Sequence, residues 1–241
     1  MTMQITKYLF PLIVICAAAF SSVSCEQKVP AAAEQIDVVK TGTPVENKAE
    51  IKRSPGPNAR QPNIVSRLQW KAKGARGEAK THTIRYITLH HTAAPQKKGV
   101  AIESKMQNLQ HFSQSESRLA SGKMKPVWFD VPYHYYIAVD GKIAEGRDIK
   151  FVGDTNTDYD PAGHALIAIE GNFEIEDPSS EQLESLNKLL AWLAEYYEVP
   201  ISEIKTHSDY ASTACPGENL KKLLPHIRQK LRQNAGAETV R

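Results

Sequence analysis

The chain has 241 residues, 41% of them hydrophobic and 24% charged, with 30 basic against 27 acidic side chains and three cysteines. That length suits one domain of about 150–200 residues plus extensions. A net charge of +3 argues against a dedicated nucleic-acid binder, and three cysteines exclude a disulfide-dense scaffold.

The N-terminal stretch 1–24 reads as an export signal. Lys7 is the only charge before Glu26, and Tyr8–Phe20 is apolar. That core is too short for a transmembrane helix, which needs roughly 20 apolar residues. The tetrad Ser22-Val23-Ser24-Cys25 resembles a bacterial lipobox, which implies lipidation of Cys25 and membrane contact through that anchor. Residues 25–62 read as a disordered linker, with five prolines, mixed charges and no aromatic side chain from position 26 onward. Such a segment buries too little to offset its ordering entropy. A folded domain is expected over 63–235, followed by a short tail, 236–241. Fifteen of the eighteen aromatic residues lie from Trp70 onward.

Within the domain, Ile84–Leu89 has strand composition and runs into His90-His91. The spacing of Ile102, Met106, Leu109 and Phe112 predicts a helix over Ile102–Leu119. Asp140-Gly141 marks a hairpin between strands at Tyr133–Val139 and Lys142–Ala144. Ala165–Glu170 is a further apolar strand. Glu181–Tyr197 has the clearest helical face, and Ser179 with Gln182 forms a capping box before it. A last helix is expected from about Glu218 to Arg232, restarted or kinked at Pro225. The fold class is α/β: a single mixed β-sheet flanked by helices.

Three places combine zinc-type ligands with strand-end or loop context: His90-His91, His207, and Cys215 in Thr213-Ala214-Cys215-Pro216-Gly217. Two imidazoles and a thiolate leave a fourth tetrahedral position open, as catalytic zinc requires. Spacing alone leaves another reading open, of hydrogen-bonded histidines and an inert thiol.

The surrounding motifs weigh on that choice. Ile64-Val65-Ser66-Arg67-Leu68-Gln69-Trp70, Ile87–Ala93, Trp128–Tyr135, Glu145-Gly146-Arg147-Asp148, Glu170-Gly171-Asn172-Phe173, His207-Ser208-Asp209 and Thr213–Gly217 occur in this order. Together they resemble the type-2 N-acetylmuramoyl-L-alanine amidases and peptidoglycan recognition proteins, over roughly residues 63–232. The resemblance implies the amidase and recognition-protein fold, and His90, His207 and Cys215 as Zn2+ ligands. It also implies Tyr133 and Thr213 as catalytic hydrogen-bond donors, Arg147 as a groove residue that could hold a stem-peptide carboxylate, and 152–163 as a loop bordering the groove. His164 precedes a strand and is a candidate to meet substrate. Some members carry a glutamate base where this chain has Ala168; Glu170 shares that strand face and reads better as a structural carboxylate. His91 and His134 read as packed histidines.

The function implied is zinc-dependent hydrolysis of the lactyl–L-alanine amide in peptidoglycan or muropeptides, by an exported monomer of the periplasm or cell envelope, anchored to a membrane as a lipoprotein. Two alternatives stand beside it. One is a non-catalytic peptidoglycan-binding module of the same fold. The other is a cysteine hydrolase with Cys215 as nucleophile and His207 as base.

Overall fold

A computed structural model describes residues 60–118 and 122–238. The export signal, Cys25 and the spacer through residue 59 lie outside the described residues, as does the end of the chain beyond 238. No helix of the described residues is long and apolar enough to cross a membrane.

The elements in chain order are β1 (Ile64–Val65), β2 (Tyr86–His91), α1 (Ile102–Ser113), β3 (Ser117–Arg118), β4 (Met124–Lys125), β5 (Tyr135–Ile137), β6 (Ile143–Glu145), β7 (His164–Ile169), α2 (Ser180–Tyr196), β8 (Ile204–Thr206), α3 (Glu218–Lys221) and α4 (Leu224–Glu238). Six strands form one sheet in the order β1-β6-β5-β7-β2-β8. The β5–β6 hairpin is antiparallel; every other neighbouring pair is parallel. β3 and β4 make a separate two-stranded ribbon. This is the single mixed sheet flanked by helices that the sequence predicts.

Alternation along the strands divides the core in two. Ile87, Leu89, Tyr135, Ile137, Ile143, Ile167 and Ile169 face α2 and α4, and pack with Leu186, Leu189, Leu190, Leu193, Ile227 and Leu231. Tyr136, Ala144 and Ala168 face the other way, against Trp70 and against Ile102 and Met106 of α1. His90 is in register with Ala168, and Ala168 with Tyr136, so His90 belongs to the α1 side.

Element boundaries differ from the sequence expectation for identifiable reasons. β2 reaches His91 because pairing with β7 continues to His91↔Ile169. α1 stops at Ser113 and does not reach Leu119. Its last carbonyls are taken by tertiary donors: Trp128 N–H bonds Ser113 O (2.9 Å), and Lys125 Nζ donates to the carbonyls of Ser113 (2.9 Å) and Ser115 (2.8 Å). The capping box of α2 is present, with Ser179 Oγ accepting from Gln182 N–H. The last helical stretch divides into α3 and α4. Pro225 sits in the first turn of α4, where its missing N–H is harmless, and α4 continues to Glu238.

Candidate metal centre and its surroundings

Three elements bring the expected ligands together. His90 is the fifth residue of β2, held by pairing to β7 on one side and β8 on the other. Leu89 is in register with Thr206, so the residue after β8, His207, emerges beside His90. There the chain turns sharply: Thr206 Oγ1 donates to Asp209 Oδ2 (2.8 Å), which also accepts Thr206 N–H (2.7 Å). This explains the His207-Ser208-Asp209 motif as an expected ligand followed by the cap of its turn. Cys215 arrives on the next loop. Its Sγ accepts the main-chain N–H of His91 (3.4 Å). Gly217, at φ 88°, packs on the Phe173 backbone, where a Cβ would overlap.

One ligand atom from each of His90, His207 and Cys215 lies within 4.8 Å of the others. His90 Nδ1 is 3.7 Å from Cys215 Sγ. Two ligands on a tetrahedral zinc, at roughly 2.0 Å for nitrogen and 2.3 Å for sulfur, stand about 3.6 Å apart. His207 Nδ1 is buried with no hydrogen-bond partner, while its Nε2 bonds Thr157 Oγ1 (2.7 Å). Burial pushes His207 down to about 4 and His90 well below the usual imidazole value. Both therefore present neutral lone pairs at pH 7. Burial also pushes the Cys215 thiol up to about 12, so a thiolate here requires a neighbouring cation such as a bound metal. A neutral, nitrogen- and sulfur-rich set with a bare buried nitrogen fits Zn2+.

The other expected site residues sort into two groups. Tyr133 lies at the centre, its ring 5.2 Å from that of His90. Burial, then the charge of a Cys215 thiolate, raises its phenol well above the ordinary tyrosine value, so it stays a donor at neutral pH. Gly146 backs it; a Cβ there would overlap the Tyr133 carbonyl. Thr213 is half-buried beside Cys215, its Oγ1 accepting Cys215 N–H (3.2 Å). His164 is one layer away. Its Nδ1 bonds Thr88 Oγ1 (2.8 Å), and its ring packs against Tyr86, Tyr159 and Tyr210.

Arg147 requires a correction. It is 2% exposed, and its guanidinium donates to the carbonyls of Val131, Asp130 and Val152 and ion-pairs with Asp154. With four of its five N–H groups engaged by the protein and the side chain buried, it does not offer a fork to a stem-peptide carboxylate. It clamps the base of the 152–163 loop instead.

The packed-histidine readings agree with the geometry. His91 Nδ1 accepts from Phe173 N–H (3.2 Å). His134 accepts Leu166 N–H at Nδ1 (2.8 Å) and donates from Nε2 to Phe151 O (2.9 Å). Glu170 is consumed by Lys105 Nζ (2.6 Å) and by the N–H groups of Lys97 and Val139.

Two further residues adjoin the expected ligands without any sequence motif to mark them. Thr157 touches His207, and Tyr159 places its ring 5.2 Å from His207 with its hydroxyl buried and unpartnered. Both lie in a loop whose Asp/Thr/Asn composition is that of ordinary loops, so no local signal marks them.

Comparisons with known proteins agree with this architecture. The family model described as N-acetylmuramoyl-L-alanine amidase matches residues 80–218. Peptidoglycan-recognition protein SD of Drosophila melanogaster is 32% identical over 174 residues, covering 67% of this chain and 83% of that protein. Its crystal structure matches with a TM-score of 0.58 at 28% identity, over 68% of this chain and 94% of that one. The N-acetylmuramoyl-L-alanine amidase LysC from Clostridium intestinale matches with a TM-score of 0.56 at 26% identity, over 71% of this chain and 99% of that one. The chain belongs to the N-acetylmuramoyl-L-alanine amidase family, whose members include amidases and peptidoglycan recognition proteins.

Proposed function

We propose that this family member is a zinc-dependent N-acetylmuramoyl-L-alanine amidase, exported to the cell envelope and tethered there through Cys25. The observation that carries the reading is the convergence of His90, His207 and Cys215 beside the Tyr133 phenol.

His90 Nδ1, His207 Nδ1 and Cys215 Sγ would hold the metal. When bound, zinc supplies a Lewis acid that polarises the scissile carbonyl and acidifies water. The remaining work falls to this chain's own groups. Tyr133, kept protonated by burial, donates its O–H to the oxygen on which charge develops as the amide carbon becomes tetrahedral. Thr213, whose Oγ1 already accepts Cys215 N–H, has its own hydroxyl proton left to donate. No carboxylate base is supplied from β7, since Ala168 is small and Glu170 is bound to Lys105. The thiol-nucleophile alternative fits poorly, because burial disfavours a free thiolate at Cys215.

Peptidoglycan recognition without cleavage is the second reading, favoured by the 32% identity to a recognition protein. Incubation of zinc-loaded protein with purified cell wall separates the two. The amidase reading expects stem peptides released with free L-alanine amino termini, and wall binding without release by Cys215→Ser. Equal binding and no release by both proteins would establish recognition alone.

A further inference from the structure

We propose that Thr157 is a positioning residue of the metal centre: its hydroxyl holds His207 in the Nε2–H tautomer and so keeps Nδ1 bare toward the metal. The inference rests on the reading of His90, His207 and Cys215 as a zinc centre. A histidine ligand that donates its second ring N–H to a fixed acceptor has its tautomer and ring orientation set by that acceptor. Here the acceptor is a single side chain. His207 Nε2 and Thr157 Oγ1 are 2.7 Å apart, and His207 Nδ1 is buried without a partner. The reverse tautomer would leave an Nδ1–H buried with nothing to accept it.

The direction of the chain of hydrogen bonds is consistent. Thr157 Oγ1 is 2.7 Å from Thr155 Oγ1, so after accepting from His207 it can pass its own hydrogen to Thr155. Thr155 Oγ1 also accepts Thr157 N–H (3.1 Å), which fixes the threonine's backbone. The base of the loop is clamped in turn, by Arg147 on Asp154 and on the Val152 carbonyl. The loop that borders the expected groove thus hydrogen-bonds His207 through the Thr157 hydroxyl, beside the Tyr159 ring that packs on the same imidazole. His90 has no equivalent, since its Nε2 is buried and unpartnered.

The test compares wild type, Thr157→Val and Thr157→Ser. Zinc affinity is read by competition with a chromophoric chelator, and the His207 tautomer by imidazole nitrogen chemical shifts of the metal-free protein at neutral pH. The proposal expects Nε2–H in wild type, loss of that preference in Thr157→Val, about 10–100-fold weaker zinc binding in Thr157→Val, and recovery of both in Thr157→Ser. Wild-type zinc affinity and an unchanged tautomer in Thr157→Val would overturn the role of Thr157 while leaving the zinc centre standing. Failure of the wild type to bind zinc would overturn the zinc reading, and this inference with it.

Discussion

At the scale of single residues, the site is governed by what burial does to each polar group. The two imidazoles are held neutral and the phenol of Tyr133 is held protonated, so on the proposed reading Tyr133 would act as a donor and the imidazoles would offer lone pairs to a metal. Tyr133→Phe removes one donor and little volume. It is expected to lower kcat about 10²–10³-fold, the cost of one lost oxyanion donor, with zinc content unchanged by elemental analysis. A rate within threefold of wild type would remove Tyr133 from the chemistry. Arg147 shows where residue-type reasoning goes astray. An arginine in a motif near a groove suggests a carboxylate clamp. Only the folded loop reveals that Val152 and Asp154 turn back over it and use its donors.

At the scale of elements, the same arginine becomes a loop anchor. Arg147→Met leaves Asp154 and three carbonyls without their donor. Asp154 is 28% exposed, so the loss comes mainly from the buried carbonyls left without a donor, at about 1–3 kcal/mol each, and a destabilisation of at least ~2 kcal/mol is expected in urea unfolding. A loss below ~1 kcal/mol would contradict the clamp. The ion pair of Lys105 with Glu170 joins α1 to the end of β7, both side chains almost fully buried. Lys105→Met is expected to destabilise by about 3–5 kcal/mol, because Glu170 is left without its counter-charge. Full stability in that variant would show that Glu170 is free for another role.

Element existence could be read from periodicity and caps: the α2 face and its Ser179–Gln182 box are local properties of a short stretch, and the fold follows them. The end of α1 could not. No local stop signal such as Gly or Pro follows Ser113 before Leu119, and the helix end is marked by a lysine twelve residues later reaching back to the Ser113 carbonyl. The three expected ligands could be picked out because each lies in its own short motif, and the fold brings one atom of each within 4.8 Å of the others. What could not be read was the parallel pairing of β8 with β2 that sets His207 beside His90, since those residues are more than a hundred positions apart. Thr157 was invisible for the same reason, its partner lying 50 residues away.

At the scale of the whole molecule, stability and pH are linked through histidines buried neutral. Burial, aided by the neighbouring His82 and Arg147 and opposed by the hydrogen bond to Phe151 O, pushes His134 down to about 3. Its unfolded value is near 6.5. Below that pH the unfolded chain takes up a proton that the folded one refuses, so stability falls as pH drops from about 6.5 toward 3, at up to ~1.4 kcal/mol per pH unit for this one group. His134→Gln is expected to remove one proton's worth of that slope in denaturation curves taken between pH 7 and 4. An unaltered slope would show that His134 is protonated in the fold.

The sheet, the two-sided core and the clamped loop all converge on one place, where β2, the turn after β8 and the Cys215 loop meet. The most direct measurement of what that place does is the hydrolysis of a defined muropeptide by protein stripped of metal and then reloaded with one equivalent of zinc. The account predicts a free L-alanine amino terminus appearing only in the reloaded sample, abolished again by a chelator. Zinc bound at one equivalent with no L-alanine amine released would contradict it.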